Sequence, residues 1–134
     1  AGAGLPGIPL RVLWQQGDYS LVEAREKRAL FLQTALAHLT LPRTRAIRAR
    51  VEDFLAEHDT ADLILSRAFM PWRKLLALLS GKLAPNGAVV FMMLEPAPSA
   101  DAVPRGWRVC AGHRYTLPSG ERYFWAFQEA GHER

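Results

Sequence analysis

Gly2-Ala3-Gly4-Leu5-Pro6-Gly7-Ile8-Pro9-Leu10 is the stretch that organises the reading of this chain. It holds three glycines within six residues and runs directly into an apolar segment able to start a helix. Glycine tolerates positive φ and close backbone approach, so such a loop cradles a ligand. The helix behind it aims free N–H groups and the positive end of its dipole at that ligand. The spacing Gly2-x-Gly4-x-x-Gly7 is that of a nucleotide-binding loop, a weak signal alone. Loops of this kind hang from the end of a central strand. None precedes this one, so the chain is expected to begin inside its own key motif.

About twenty residues further on, Glu23 falls at the end of a short strand, Tyr19-Ser20-Leu21-Val22. An acid there hydrogen-bonds both hydroxyls of a ribose, in dinucleotide and S-adenosylmethionine sites alike. The plainer alternative is that Glu23 opens the acidic first turn of the next helix. Spacing leaves the two cofactors undivided.

Working outward, a short helix is expected over Ile8 to Trp14. A longer one follows over Arg25 to Leu39, with Phe31, Leu32, Ala35, Leu36 and Leu39 as its apolar stripe. Thr44 to Ala49 reads as an outer strand, and Glu52 to Glu57 as one or two helical turns. Asp62-Leu63-Ile64-Leu65-Ser66 looks like a strand buried on both sides. Pro71 suits a first helical turn, with Trp72 to Leu83 filling that helix. Pro85-Asn86-Gly87 predicts a turn and Ala88 to Leu94 a very apolar strand. Glu95 to Gly106 is a loop with at most a broken helix. Trp107 to Leu117 and Arg122 to Gln128 form a hairpin around Pro118-Ser119-Gly120-Glu121. Alternating strands and helices predict an α/β fold, with a mostly parallel sheet covered on both faces. The terminal antiparallel hairpin favours the seven-stranded methyltransferase variant of the Rossmann-like fold over a plain dinucleotide domain.

The 134 residues are one domain's worth of chain, 49% apolar and 22% charged, as in an ordinary globular protein. No run of about 18 apolar residues is present, so no membrane-spanning helix is expected. The single cysteine, Cys110, excludes an internal disulfide, fits a reducing, cytoplasmic compartment and is expected to be a buried thiol. A net charge of +4 is compatible with a nucleic acid partner. His38, His58, His113 and His132 are scattered and read as surface residues, with no metal site. Phe69, Trp72 and Trp107 read as core aromatics before base-stacking ones.

Five segments together resemble the ribosomal RNA small-subunit methyltransferase G family, also called glucose-inhibited division protein B. Ala1 to Leu10 is similar to its first motif. Leu21-Val22-Glu23-Ala24-Arg25-Glu26-Lys27-Arg28-Ala29-Leu30-Phe31-Leu32 resembles the second, Arg50-Val51-Glu52-Asp53-Phe54 the third and Ser66-Arg67-Ala68-Phe69 the fourth. Gly120-Glu121-Arg122-Tyr123 is similar to the final hairpin. The resemblance implies a Rossmann-like class I S-adenosylmethionine-dependent enzyme that methylates guanine N7 in 16S ribosomal RNA of the small subunit. It places Gly2 and Gly4 at the methionine side of the cofactor, Leu5 among the cofactor-binding residues, Glu23 on the ribose, and Val51 and Glu52 beside the adenine. It places the two motif arginines, Arg50 and Arg67, at the cofactor and RNA end of the site. Arg67 directly follows an apolar strand, where a charge is costly unless paired or facing a ligand. Arg43, Arg45 and Arg48 read as solvated charges with no better than an even claim on phosphate. Guanine N7 is an in-plane lone pair, so the absence of a triad or metal cluster is consistent with that reaction.

The chain departs from the family in two places. It reads Met93-Leu94-Glu95-Pro96 where a Lys-Gly pair is usual, which removes a contact to RNA or to the methyl-donor pocket. The family's helical extension and first strand precede the residue matching Ala1. The chain is therefore expected to be one methyltransferase domain, 1–134, truncated at its N-terminus, and a monomer. The competing readings are a catalytically impaired RNA-binding module and a nicotinamide-dependent oxidoreductase.

Overall fold

The computed structural model describes residues 7–67 and 70–130. They fall into two compact units, Ala1–His58 and Asp59–Arg134.

In the first unit the order is α1 (Gly7–Leu13), β1 (Tyr19–Glu23), α2 (Glu26–Ala37), β2 (Thr44–Arg48) and α3 (Val51–Glu57). β1 and β2 pair in parallel, in register from Tyr19 opposite Thr44 to Glu23 opposite Arg48. α2 makes the crossover and packs on both strands. Its buried residues are Ala29 and Leu32, whereas Phe31 is 54% and Leu39 41% exposed. The expected stripe is thus turned by part of a turn, because the narrow two-stranded sheet needs only a thin apolar line beneath α2.

The unusual feature of this unit is Arg11, an arginine with no exposed surface in the middle of α1. Its Nε donates to Thr44 Oγ1 at 2.8 Å. One terminal nitrogen donates to the carbonyls of Trp14 (3.4 Å) and Gln16 (2.7 Å), the other to those of Gly17 (2.5 Å) and Pro42 (2.8 Å). The Tyr19 ring lies 5.0 Å from the guanidinium carbon. Each N–H of the rigid guanidinium fork therefore has an acceptor, the condition under which a buried charge is tolerated. The Tyr19 hydroxyl donates to Gly7 O at 2.8 Å and so ties the start of α1 to β1. Gly7 itself comes so close that a Cβ there would sit 2.5 Å from Leu21 Cδ2.

The second unit contains β3 (Ala61–Ser66), α4 (Trp72–Leu79), β4 (Leu83–Met93), a 3₁₀ turn at Ala100–Ala102, β5 (Trp107–Leu117) and β6 (Gly120–Glu129). The strand order is β3-β4-β6-β5. β3 and β4 are parallel, while β6 runs antiparallel to both β4 and β5. α4 buries Leu75, Leu76 and Leu79, and its Trp72 packs on Trp125 and Phe127. Val89, Phe91 and Phe127 complete this core.

Four sequence expectations change here. α4 stops at Leu79 because the chain turns through Gly81 at φ +78°, and Leu83 already belongs to β4. Pro85-Asn86-Gly87 is an irregularity inside β4 and not a turn between elements. The register jumps there from Ala61 opposite Leu83 to Leu63 opposite Ala88. β3 is not buried on both sides, since Asp62 and Leu63 are exposed. Cys110 is exposed, at the point where the β5–β6 register shifts between Val109 and Ala111.

Three outcomes follow for stability. Arg11→Ala strands several buried carbonyls and is expected to cost about 3–5 kcal/mol in urea unfolding. Gly87→Ala puts a Cβ 2.9 Å from the carbonyls of Ala61 and Ala84, and is expected to cost about 1–3 kcal/mol by the same measurement. Burial raises the Tyr19 hydroxyl above its ordinary 10.0, with Arg11 pulling the other way. The unfolded chain then loses this proton first as pH rises. Stability from Tyr19 is full below about pH 10 and declines above it, and Tyr19→Phe is expected to flatten that alkaline loss.

Candidate functional site

Because β1 and β2 are parallel and in register, their C-terminal ends lie at one edge of the small sheet. Glu23 is the last residue of β1 and only 8% exposed. Its Oε2 accepts the backbone N–H of Arg25 at 3.0 Å, and its carbonyl accepts the N–H of Ala49 at 3.0 Å. The second bond draws the chain leaving β2 against the end of β1. Arg50 then stands in an extended conformation before α3, exposed, and its carbonyl accepts the Phe54 N–H at 3.0 Å. Val51 and Glu52 are the first residues of α3, which lies against β1. Val51 is half-buried and Glu52 exposed. Glu23, Arg50, Val51 and Glu52 are therefore brought to the same strand-end region by the register and by one short connection.

Gly2, Gly4 and Leu5 lie outside the described residues, as do Phe69 and His132. Arg67 belongs to the second unit, where it follows the C-terminal end of β3. It is exposed, so the burial cost used to single it out does not act on it. Its neighbour Ser66 is 3% exposed, and the Ser66 Oγ has no hydrogen-bond partner among the described residues. Glu95, in the place of the expected lysine, is exposed, and its carbonyl accepts the Trp125 Nε1–H at 2.8 Å. Trp72 and Trp107 are packing residues, the first half-buried and the second 9% exposed.

The basic row on β2 is largely spent on structure. Arg45 donates to Ser20 Oγ and lies 3.1 Å from each of that oxygen and His58 Nε2. With Nε2 accepting from Arg45, His58 Nδ1 is the donor to Phe54 O at 2.8 Å. Its ring stacks on Phe54 with centroids 3.9 Å apart. Arg48 lies 3.7 Å from Glu26. Among the described residues no group of three metal-ligating side chains occurs, and no helix is long and apolar enough to cross a membrane.

Sequence reasoning missed Arg11 and Ser66. The signal for Arg11 was a single charge inside Ile8-Pro9-Leu10-Arg11-Val12-Leu13, a placement that an exposed helix face does not require. A serine ending an apolar strand carries no comparable mark. The chemistry offered at the first edge is that of a nearly buried carboxylate, held in place by a backbone N–H at a parallel strand end. That is an acceptor suited to paired hydroxyls.

The sequence matches the model of the family described as rRNA small subunit methyltransferase G over residues 1–119. It is 55% identical over 128 residues to the ribosomal RNA small subunit methyltransferase G of Nitratidesulfovibrio vulgaris, covering 96% of this chain and 58% of that protein. The corresponding protein of Oleidesulfovibrio alaskensis is 48% identical over 134 residues, covering 94% of this chain and 58% of its own length. The chain thus spans somewhat over half the length of these curated relatives. In structure it is similar to a protein described as putative methyltransferase yhhF from Escherichia coli, with a TM-score of 0.67 and 21% identity. That similarity covers 97% of this chain and 72% of the other, and shows a shared fold.

Proposed function

The chain belongs to the rRNA small subunit methyltransferase G family, and from this we propose that it takes part in S-adenosylmethionine-dependent methylation of guanine N7 in 16S ribosomal RNA. The observation that carries the proposal is the fixed Glu23 carboxylate at the β1 end, with the start of α3 beside it. These residues fit the cofactor. Glu23 would hold the two ribose hydroxyls, and Val51 and Glu52 would flank the adenine. Gly2, Gly4 and Leu5 would line the methionine end. When bound, S-adenosylmethionine supplies an electrophilic methyl group on a sulfonium.

The protein's share is to hold and align. Guanine N7 presents its lone pair in the plane of the base and needs no general base to expose it. Rate enhancement then comes from in-line placement and from the electrostatics of the site. Arg50 and Arg67, both exposed, are suited to meet RNA phosphates and set the approach of the base. We assign the partner as the small ribosomal subunit or its 16S RNA, the compartment as the cytoplasm and the working form as a monomer within one methyltransferase domain.

The test is methyl transfer from labelled S-adenosylmethionine to small subunits that lack the modification, with the product base identified by digestion. Label in N7-methylguanine supports the proposal; no transfer overturns it. Calorimetric titration with S-adenosylhomocysteine examines the site itself. Glu23→Ala is expected to weaken binding about 10- to 100-fold, the range for losing hydrogen bonds to a charged acceptor. Unchanged affinity would remove Glu23 from the site.

A further inference from the structure

In the second unit, side chains along β6 alternate between the two faces of the sheet. Trp125 and Phe127 face α4 and pack on Trp72. Phe124 therefore faces the other way, and its partner across the hairpin is His113 on β5. Its ring centroid lies 6.5 Å from that of His113 and 5.2 Å from that of Tyr115. The His113 and Tyr115 rings are 6.4 Å apart, and the three planes lie within 25° of one another. His113 is exposed, and Tyr115 and Phe124 are half-buried. An apolar residue exposed singly needs no reason, but three aligned rings gathered on one face mark a contact surface.

The charge around these rings has one sign. From Val103 to Gly120 the chain carries Arg105, Arg108 and Arg114 and no carboxylate. All three arginines are exposed, on or just before β5, the outer strand of the sheet. Arg114 lies 3.6 Å from Glu121, and Arg122, opposite Tyr115, donates to Ser119 Oγ and Glu121 O. A guanidinium has five N–H donors, more than these contacts use. The hairpin also overhangs its neighbour. β4 pairs with β6 only as far as Met93 opposite Tyr123, whereas β5 and β6 stay paired to Leu117 opposite Gly120. Those added residues, at about 3.3 Å each, carry the tip about 10 Å beyond the carboxyl end of β4. Ligands of open α/β sheets lodge at that end of the strands.

We propose that the β5–β6 hairpin is a separate contact for single-stranded RNA, in which an unpaired base stacks on the His113–Tyr115–Phe124 cluster while Arg114 and Arg122 meet the phosphates beside it. Every base has a face that stacks on an aromatic ring, and a guanidinium fits phosphate, so the contact is tolerant of sequence. A single strand is the partner because a duplex keeps its bases stacked on one another and offers no face to a ring. This rests on the RNA-methylating reading above and concerns nucleotides that flank the acceptor, not the acceptor itself.

The test titrates the full chain into a fluorescein-labelled single-stranded RNA of about twelve mixed nucleotides, and into a duplex of the same length, by fluorescence anisotropy. Tyr115→Leu keeps the apolar bulk and removes the ring. It is expected to weaken single-strand binding about tenfold and to leave the salt dependence unchanged. Arg114→Gln is expected to weaken it about threefold and to lower the slope of log affinity against log salt by about 0.7, the value for one single-strand phosphate contact. Both variants should keep the parent's melting temperature and S-adenosylhomocysteine affinity. Single-strand binding within twofold of the parent in either variant overturns the inference. So does a parent that binds no single-stranded RNA at low salt, or one that binds the duplex as tightly. If Tyr115→Leu melts several degrees early, His113→Ala at the exposed ring replaces it, and binding within twofold of the parent again overturns the inference. Single-strand binding that meets these expectations without any methyl transfer supports the hairpin contact and counts against the proposed reaction alone.

Discussion

Arg11 gathers the first unit around one guanidinium. A charge taken wholly out of water is tolerated only when its hydrogen-bonding capacity is met, and here four carbonyls and the Thr44 hydroxyl meet it. Trp14, Gln16 and Gly17 come from the turn after α1, Pro42 from the approach to β2, and Thr44 from β2 itself. Segments more than thirty residues apart in sequence are thereby held to one short helix. Since the guanidinium is flat and its donors are fixed in direction, it sets the angles of these segments as well as their distance. Apolar contacts alone, with Leu21, Ala29 and Leu32 as the buried apolar residues of β1 and α2, would leave that geometry looser.

From this arrangement the strand-end site follows by simple steps. Arg11 and the Tyr19–Gly7 bond place α1 at the start of β1. The parallel register carries that placement along to Glu23 and Arg48. The bond from Ala49 to the Glu23 carbonyl brings the third motif back against the second. Residues that lie about thirty apart in the chain become neighbours because a crossover helix of suitable length returns the backbone to a parallel partner. The acid at position 23 is thus placed by backbone bonds, which side-chain motion does not relax.

Much of this was legible in the amino-acid order. The alternation of strand and helix, the terminal hairpin and the acid at the end of β1 are local patterns, and the sequence motifs marked the family. Features governed by distant partners were not legible. Phe31 and Leu39 look like core residues by helical spacing, but the sheet beneath α2 is too narrow to cover them. Pro85-Asn86-Gly87 has the composition of a turn, yet pairing with β3 and the bond from Gln128 Nε2 to Asn86 O keep it inside a strand. Cys110 sits in an apolar run but occupies the irregular position of an outer strand, where its side chain meets solvent. Arg67 seemed marked by burial and is exposed. The quiet residue before it, Ser66, is the buried one, and nothing in its type announces that.

The antiparallel hairpin also has a kinetic side. β5 and β6 are joined by only Pro118 and Ser119, so their pairing from Leu117–Gly120 outward closes very short loops and forms early. β4 must find β6 across a much longer separation, Val89 against Phe127, whereas β3 meets β4 over a shorter one, Leu63 against Ala88. Loop-closure entropy makes such distant pairings the slow steps of assembly. By the same measure the two outer pairs, β3–β4 and β5–β6, are the more local ones, and the β4–β6 pairing that joins them into one sheet carries the largest closure cost.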